Sequence, residues 1–398
     1  PTNEEVDKAY EKALSDGIAK LAKSKAHFTE RELAIEVLDS LQTLGVDGSQ
    51  ICKRTLKDAS LNPLLHRSQD MEADRPLSTS AQVALEASLI ESVKDLAEQK
   101  GARVRNPLSI ELASFRHKLS PEQDIALDVA VRGDGAIRVI TGVAGSGKST
   151  LLKAVKERFE ARGFEVTGCA VAGVVDQDLE SKTGIRSQTV ASFLHIPQRT
   201  LQQQRIDELK HDAHMVGRSL KGKKIWSTRQ RDLSPKSVLI VEEAGMLSTK
   251  DLNAILEKVK RAKATVILVG GTEQLPAIGP GSPLELVSSK VKAHAHLETN
   301  YRQLDEQDKK AVEAIRTGKI EEALKSYSDR GKVVVSPDAE TTRKKIIETW
   351  KEKGGIKQPA SHVILTQTRR DAALLNELCQ QSRIEEQRIA KHQITELH

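Results

Sequence analysis

The stretch Val139-Ile-Thr-Gly-Val-Ala-Gly-Ser-Gly-Lys-Ser-Thr150 decides how this chain of 398 residues is read. Gly142, Gly147, Lys148 and Ser149 fall on the spacing of a phosphate-cradling loop, a glycine turn whose backbone N–H groups face inward around an anion. Ahead of it, Ala136, Ile137, Val139 and Ile140 predict a buried strand. Behind it, Leu151 to Phe159 carries apolar positions at helical spacing with no breaker. Strand, glycine turn and helix are the context this loop requires, because the helix beginning near Lys148 adds the positive end of its dipole. Lys148 then reaches the outer phosphates and the Ser149 hydroxyl holds Mg2+, with Gly145 and Thr150 completing the phosphate-binding stretch. A turn that merely joins strand to helix is the plainer alternative, and the flanking pattern argues against it.

Downstream, strands and helices alternate, which implies a parallel sheet with helices on both faces. Val166 to Val171 reads as the next strand, followed by Gly173 and a helix ending near Thr183-Gly184. Val238 to Val241 is a continuous apolar run ending in Glu242-Glu243-Ala244, and Thr265 to Val269 ends in Gly270-Gly271. Both read as central strands whose ends sit beside the phosphates at the carboxyl edge of the sheet. There Glu242 can hold Mg2+, and Glu243 can position or deprotonate an attacking water. Gln274, in Thr272-Glu-Gln-Leu-Pro276, can place its amide on the terminal phosphate. Arg302, in Asn300-Tyr-Arg-Gln303, can neutralise charge developing on a transferred phosphoryl group. Upstream, Leu119-Ser-Pro-Glu-Gln123 opens a helix, Gln123 to Val131. The Gln123 amide offers donor and acceptor in one plane, as an adenine edge requires.

Residues 1 to about 115 read as helical, with apolar positions three and four apart over Glu4–Leu21, Thr29–Leu44 and Ser80–Gln99. Thr29 and Glu32 form a capping box, Gly45 is a stop, and Asn62 to Leu77 reads as a loop. The first reading is an accessory helical domain. A sharper one makes Phe28 to Ala59 a winged-helix-like unit, with Lys53, Arg54 and Lys57 on DNA phosphates. Between Lys210 and Lys236, six basic residues surround Trp226, as either a solvated loop or a contact for nucleic acid backbone.

Lysine and arginine exceed aspartate and glutamate, 62 to 56, for a net charge of +6, which permits a polyanionic partner. With aromatics at 3%, a single strand would be held mainly through its backbone. Cys52, Cys169 and Cys379 show no paired spacing, so neither a zinc site nor a disulfide framework is indicated, and a reducing cytosol fits best. His211 and His214 read as surface histidines. No apolar run has the length of a membrane span, and residues 1–30 lack a signal-peptide core. The first residue, Pro1, suggests a segment of something longer.

Taken in order, Gln123, the Gly142–Ser149 loop, Glu242-Glu243-Ala244-Gly-Met246, Gly270–Pro276 and Arg302 resemble a superfamily-one DNA helicase of the RecD-like branch, and most closely the helicase part of conjugative relaxase-helicases. The resemblance implies an α/β fold: a RecA-like P-loop parallel sheet at 116–305, a helical amino-terminal domain at 1–115, and the start of a truncated second RecA-like domain at 306–398. It also implies a cytoplasmic ATP-dependent 5′-to-3′ motor that uses ATP and Mg2+, binds single-stranded DNA and works with conjugation machinery. Gln123 would recognise adenine, Lys148 and Ser149 would bind phosphates and Mg2+, Glu243 would be the catalytic carboxylate, Gln274 the phosphate sensor and Arg302 the arginine finger. Ala170–Gly173 and Thr189–Phe193 would touch the DNA backbone, with Thr189 and Ser192 as donors.

Two residues depart from that pattern. Glu242 replaces an aspartate, so its extra methylene pushes the carboxylate into the Mg2+ shell, and Gly271 replaces another aspartate. The second RecA-like domain opens with the strand-like Val363–Thr366 and a helix from Asp371 but lacks its later motifs. Two alternatives stay open: a hydrolysis-impaired nucleotide and single-strand binding module, and a P-loop kinase with no nucleic acid role.

Overall fold

A computed structural model describes residues 3–61, 65–67, 77–104, 119–171, 173–195, 233–271, 280–303 and 305–386. The chain divides into two units, one ending at Leu304 and one beginning at Asp305.

The first unit opens with three helices, α1 (Asn3–Ser24), α2 (Glu30–Leu41) and α3 (Gly48–Leu61). Their facing sides bury Tyr10, Leu21, Leu33, Val37, Leu41 and Ile51 in one cluster with Phe28 and Leu77. The capping box forms as expected: the Thr29 hydroxyl accepts from the Glu32 N–H at 3.1 Å and the Glu32 carboxylate accepts from the Thr29 N–H at 2.9 Å. Where a loop was expected, β1 (Leu65–Arg67) pairs antiparallel with β2 (Leu77–Thr79). Leu77 is fully buried, and that burial recruits this short segment, too brief to show alternation, into the core.

Helix α4 (Ser80–Glu98) follows β2 without a linker and leaves the three-helix cluster. Its Leu89, Val93 and Leu96 lie in the core of the main sheet, as do Ala102 and Val104 beyond it. The three-helix unit therefore ends near Thr79 rather than at 115, because the apolar stripe of α4 is covered by the sheet layer. Across that contact Ser92 donates to Glu257 at 2.8 Å and Asn253 donates to Ser88 at 3.1 Å.

The main sheet has six strands: β3 (Ile137–Gly142), β4 (Glu165–Ala170), β5 (Ser187–Thr189), β6 (Ser237–Glu242), β7 (Thr265–Gly270) and β8 (His294–Leu297). Their order is β5-β4-β6-β7-β3-β8 and every pairing is parallel. All residues of β3, β6 and β7 are buried, as strands covered on both faces must be, hence the apolar runs Val238–Val241 in β6 and Val266–Val269 in β7. On one face Ile140, Ile240, Ile267 and Val269 pack against α5 (Pro121–Arg132), α6 (Lys148–Glu160) and α7 (Gly173–Thr183). On the other, Val139, Val241 and Leu268 pack against α4, α8 (Val190–His195), α9 (Thr249–Ala262) and α10 (Pro283–Lys290). Leu252, Ile255, Leu256 and Val259 of α9 have no exposed surface, and each such burial contributes about 1.5–3 kcal/mol.

Arg138 breaks the apolar pattern of β3. Its guanidinium is fully buried and donates to the carbonyls of Ala130 and Ala102, so it fastens residues 101–104 to the sheet. Burial pulls its pKa down to about 10.

The second unit contains α11 (Glu306–Arg316), α12 (Ile320–Asp329), α13 (Ala339–Glu352) and α14 (Arg369–Glu385). Asp308 ties it together by accepting from Arg330 at 2.6 Å and Lys332 at 2.8 Å. The expected strand at Val363–Thr366 joins no ladder among the described residues. Val363 and Leu365 are exposed there, as are Val333 to Val335 ahead of α13.

Candidate nucleotide site

The glycine loop runs from the carboxyl end of β3, which lies between β7 and the edge strand β8, into α6. Gly145 and Gly147 have φ of +83° and +78°, the left-handed region that side chains rarely enter. Space enforces the same choice. A Cβ on Gly145 would lie 2.5 Å from Arg302 Cβ, and one on Gly147 would lie 2.4 Å from Gln123 Nε2. The loop is thus clasped by α5 on one side and by the segment after β8 on the other.

Lys148 donates to the carbonyls of Gly142 and Val143, both at 3.0 Å, so its ammonium rests on the loop itself. The Ser146 hydroxyl is buried inside the turn with no hydrogen-bond partner, a state that costs roughly 1–3 kcal/mol. A parked ammonium, an orphaned hydroxyl and the amino end of α6 together fit a phosphate group. Ser149 and Thr150 occupy the first turn of α6.

Two neighbouring residues of α5 do the clasping. Ser120 and Gln123 form a capping box: the Ser120 hydroxyl accepts from the Gln123 N–H at 3.3 Å, and the Gln123 carbonyl oxygen accepts from the Ser120 N–H at 3.1 Å. The Gln123 amide nitrogen donates to the Ser146 carbonyl at 3.0 Å. Gln123 is buried, and here its amide props the loop; reading an adenine edge would require exchanging these bonds. Glu122 points the other way, its carboxylate accepting from the N–H groups of Glu298 and of Thr299, the latter at 3.3 Å. That clamp sets the course of Asn300-Tyr301-Arg302. Asn300 Oδ1 accepts from the Arg302 N–H at 2.9 Å, and the Tyr301 N–H donates to the Gly145 carbonyl at 2.9 Å. The Tyr301 ring stays half exposed, its edge 4.0 Å from the Cβ position of Gly147.

The carboxylates arrive from β6. Glu242 ends that strand, and Glu243 turns the chain in a left-handed conformation, φ +51° and ψ +41°, into the single turn Ala244–Met246. This turn lies on the end of β7, where a Cβ on Gly245 would be 2.6 Å from the Gly271 carbonyl oxygen. Burial, then the charges of Glu243 and Asp178, push the Glu242 carboxyl up to about 7, opposed by Lys148 and Lys182. Burial likewise pulls the Lys148 ammonium below the usual lysine range, against the attraction of Glu243 and Glu242 and with the repulsion of Arg302. Lys148, Glu242, Glu243 and Arg302 therefore share one electrostatic neighbourhood at the carboxyl edge of the sheet.

The sign of the Glu242 shift makes a prediction for stability. Below about pH 4.5 the carboxyl is protonated in both folded and unfolded chains and costs nothing. As pH rises from there through about 7, the unfolded chain ionises first and stability is lost. At about 1.4 kcal/mol per pKa unit the full penalty is at most roughly 3.5 kcal/mol, and solvent reaching the carboxyl lowers it. Without nucleotide or Mg2+, Glu242→Gln should therefore raise the melting midpoint by several degrees at pH 8 and by much less at pH 5, as scanning calorimetry would show.

Gln274, the basic residues between Lys210 and Arg231, His211 and His214 lie outside the described residues. Thr189 uses its hydroxyl to accept from the Ser192 N–H at 3.2 Å, capping α8, and keeps its proton to donate elsewhere. The residues that sequence reasoning passed over are Glu122, Asn300, Tyr301, Asp178 and Lys182. Glu122 lies within the helix start Leu119–Gln123, and Asp178 and Lys182 pair at i,i+4 spacing on α7, so neither carries a local signal that ties it to the site. Among the described residues no group of three or more histidine, cysteine or acidic side chains forms a metal site, and no helix is long and apolar enough to cross a membrane.

A parallel α/β sheet with a glycine loop at the carboxyl end of one strand and paired carboxylates at the end of another, separated from it by β7, defines a P-loop NTPase domain. The family model described as "AAA domain" matches residues 118–338, more than half of the chain. The chain belongs to that family and is a RecD-like, helicase-related member of it. Its relatives include the conjugal transfer protein TraA of Rhizobium radiobacter, 30% identical over 77% of this chain and 25% of that protein. The protein of the same name from Agrobacterium fabrum is 27% identical over 92% of this chain and 30% of its own length. The ATP-dependent RecD2 DNA helicase of Deinococcus radiodurans is 33% identical over 42% of this chain and 20% of that protein. The chain spans less than a third of the length of these relatives.

Proposed function

We propose that the chain is the motor segment of a conjugative relaxase-helicase, an ATPase that binds single-stranded DNA and moves 5′ to 3′. The observation that carries this reading is the shared neighbourhood of Lys148, Glu242, Glu243 and Arg302 around an orphaned hydroxyl in a glycine loop. The relatives' printed names, conjugal transfer and DNA helicase, supply the nucleic acid and the conjugation setting.

In this scheme the loop N–H groups, Lys148 and Ser149 bind the ATP phosphates, and the half-exposed Tyr301 ring offers the base a flat apolar surface. Ser149 and Glu242 would hold Mg2+, which when bound neutralises phosphate charge. Glu243 orients and deprotonates the attacking water, Gln274 senses the terminal phosphate, and Arg302 balances charge as the phosphoryl group departs. Thr189 and Ser192, at the end of β5 and in α8, donate to the DNA backbone. Residues 306–398 are read as the start of a second RecA-like domain, with Val333–Val335 and Val363–Leu365 as its strand positions on either side of α13.

ATP turnover measured with and without single-stranded DNA tests the reading: stimulation by DNA supports it. Tight nucleotide binding without turnover points instead to a hydrolysis-impaired module, and indifference to DNA to a kinase-like enzyme. A finer test uses Glu122. Glu122→Ala releases the backbone that carries Arg302 and should lower kcat about tenfold, since each charged hydrogen bond contributes roughly 1.5–3 kcal/mol, while ATP affinity stays within a factor of about two. Glu122→Gln, which keeps one acceptor, should recover part of the rate.

A further inference from the structure

The amino-terminal unit carries a surface that the ATPase site does not use. Helices α2 and α3 share one core and are joined by residues 42–47, where Gly45 adopts φ +65°, the element order of a helix-turn-helix. The antiparallel β1–β2 pair joins the same core, and Phe28 adds a further bridge to it: the Phe28 N–H donates to the Leu77 carbonyl at 3.0 Å and the Leu77 N–H returns a bond at 2.7 Å. Ile51, Thr55 and Ala59 hold the inner side of α3 in the core.

The outer side of α3 presents Ser49, Gln50, Lys53, Leu56 and Lys57, all exposed, with no carboxylate among them. Arg54 does not belong to that face. Its guanidinium lies 4.0 Å from the centre of the Tyr10 ring and pairs with Asp7 and Asp58, which corrects its expected role as a phosphate contact. Asp47, just before α3, is held on the Ser49 N–H at 2.9 Å.

We propose that α3 enters the major groove of duplex DNA, with Lys53 and Lys57 on phosphates and Ser49 and Gln50 toward base edges. A helix about 10–12 Å across fits the major groove, about 12 Å wide. Single-stranded DNA offers no groove to receive it. The only phenylalanine and tyrosine of residues 1–79, Phe28 and Tyr10, are buried and provide no stacking platform for unpaired bases. Because β2 runs directly into α4, and α4 is embedded in the sheet core, a duplex held here is held by the body that carries the ATPase site.

The test compares the full chain with its Lys53→Gln/Lys57→Gln variant in binding to a short blunt duplex and to a single strand of the same length, over a range of salt. The variant should lose several-fold to tenfold in duplex affinity, and its log–log salt slope should fall by about two, one unit for each phosphate contact. Single-strand affinity and DNA-stimulated ATP turnover should stay unchanged. Lys8→Gln/Lys12→Gln, on exposed positions of α1, should alter neither polymer. Unchanged duplex binding, the outcome if α3 instead receives a protein, overturns the proposal, and so does an equal loss on both polymers. Failure of the motor reading would appear separately, as ATP turnover in the unsubstituted chain that ignores DNA.

Discussion

Replacing Glu243 by glutamine is expected to reduce ATP turnover at least about a thousandfold while ATP stays bound, because general-base assistance contributes roughly 10²–10⁴ and the amide cannot accept the proton of the attacking water. The backbone at this position supports that assignment. Among the described residues only Glu243 and Lys263 are non-glycine residues with positive φ, and Lys263 merely ends α9. A left-handed residue of this kind costs roughly 1–2 kcal/mol and persists where its surroundings hold it. Glu243 also raises the pKa of Glu242. With its charge gone, the Glu242 carboxyl ionises at lower pH, so nucleotide affinity in Mg2+ near pH 7 should be retained or slightly increased. Single-turnover hydrolysis beside a fluorescent-nucleotide titration would check both halves. A rate within about tenfold of the unsubstituted protein would place the base elsewhere.

The second large effect is on binding. Lys148→Ala should weaken ATP by roughly two to three orders of magnitude, since charge-assisted contacts to phosphate are among the stronger hydrogen bonds and a half-buried cation is screened less than an exposed one. In the free protein the ammonium is occupied by the carbonyls of Gly142 and Val143, so nucleotide exchanges two neutral acceptors for charged ones. The fold should not suffer. Alanine suits the first turn of α6, and removing a half-buried cation relieves the burial that pulls the lysine pKa down. Titration calorimetry with ATP, paired with a melting curve, separates lost binding from lost folding. Near-normal affinity in a stable variant would remove Lys148 from the site.

Much of the parallel sheet was legible because its signals are local. The continuous apolar runs before Glu242 and Gly270 are what doubly covered parallel strands look like, and both strands form where the runs lie. The Thr29–Glu32 capping box and the stop at Gly45 are equally local and both occur. The hairpin was missed because each strand is three residues long and Leu77 owes its place to Phe28, far away in sequence. The boundary near Thr79 was missed because α4 carries an ordinary amphipathic pattern. Only packing shows whether its stripe faces α1–α3 or the sheet.

The sequence alone determined the P-loop and the strands that lead to Lys148 and Glu243. Each of these follows from residue type at fixed short spacing. Tertiary structure decided which neighbours those residues keep. Gln123 became a prop, Glu122 a clamp on the Arg302 segment, Arg54 a partner of Tyr10 and Asp7, and Glu242 a carboxyl pushed to about 7. Such outcomes depend on burial and on charges brought together from distant parts of the chain, and these exist only once the chain has folded.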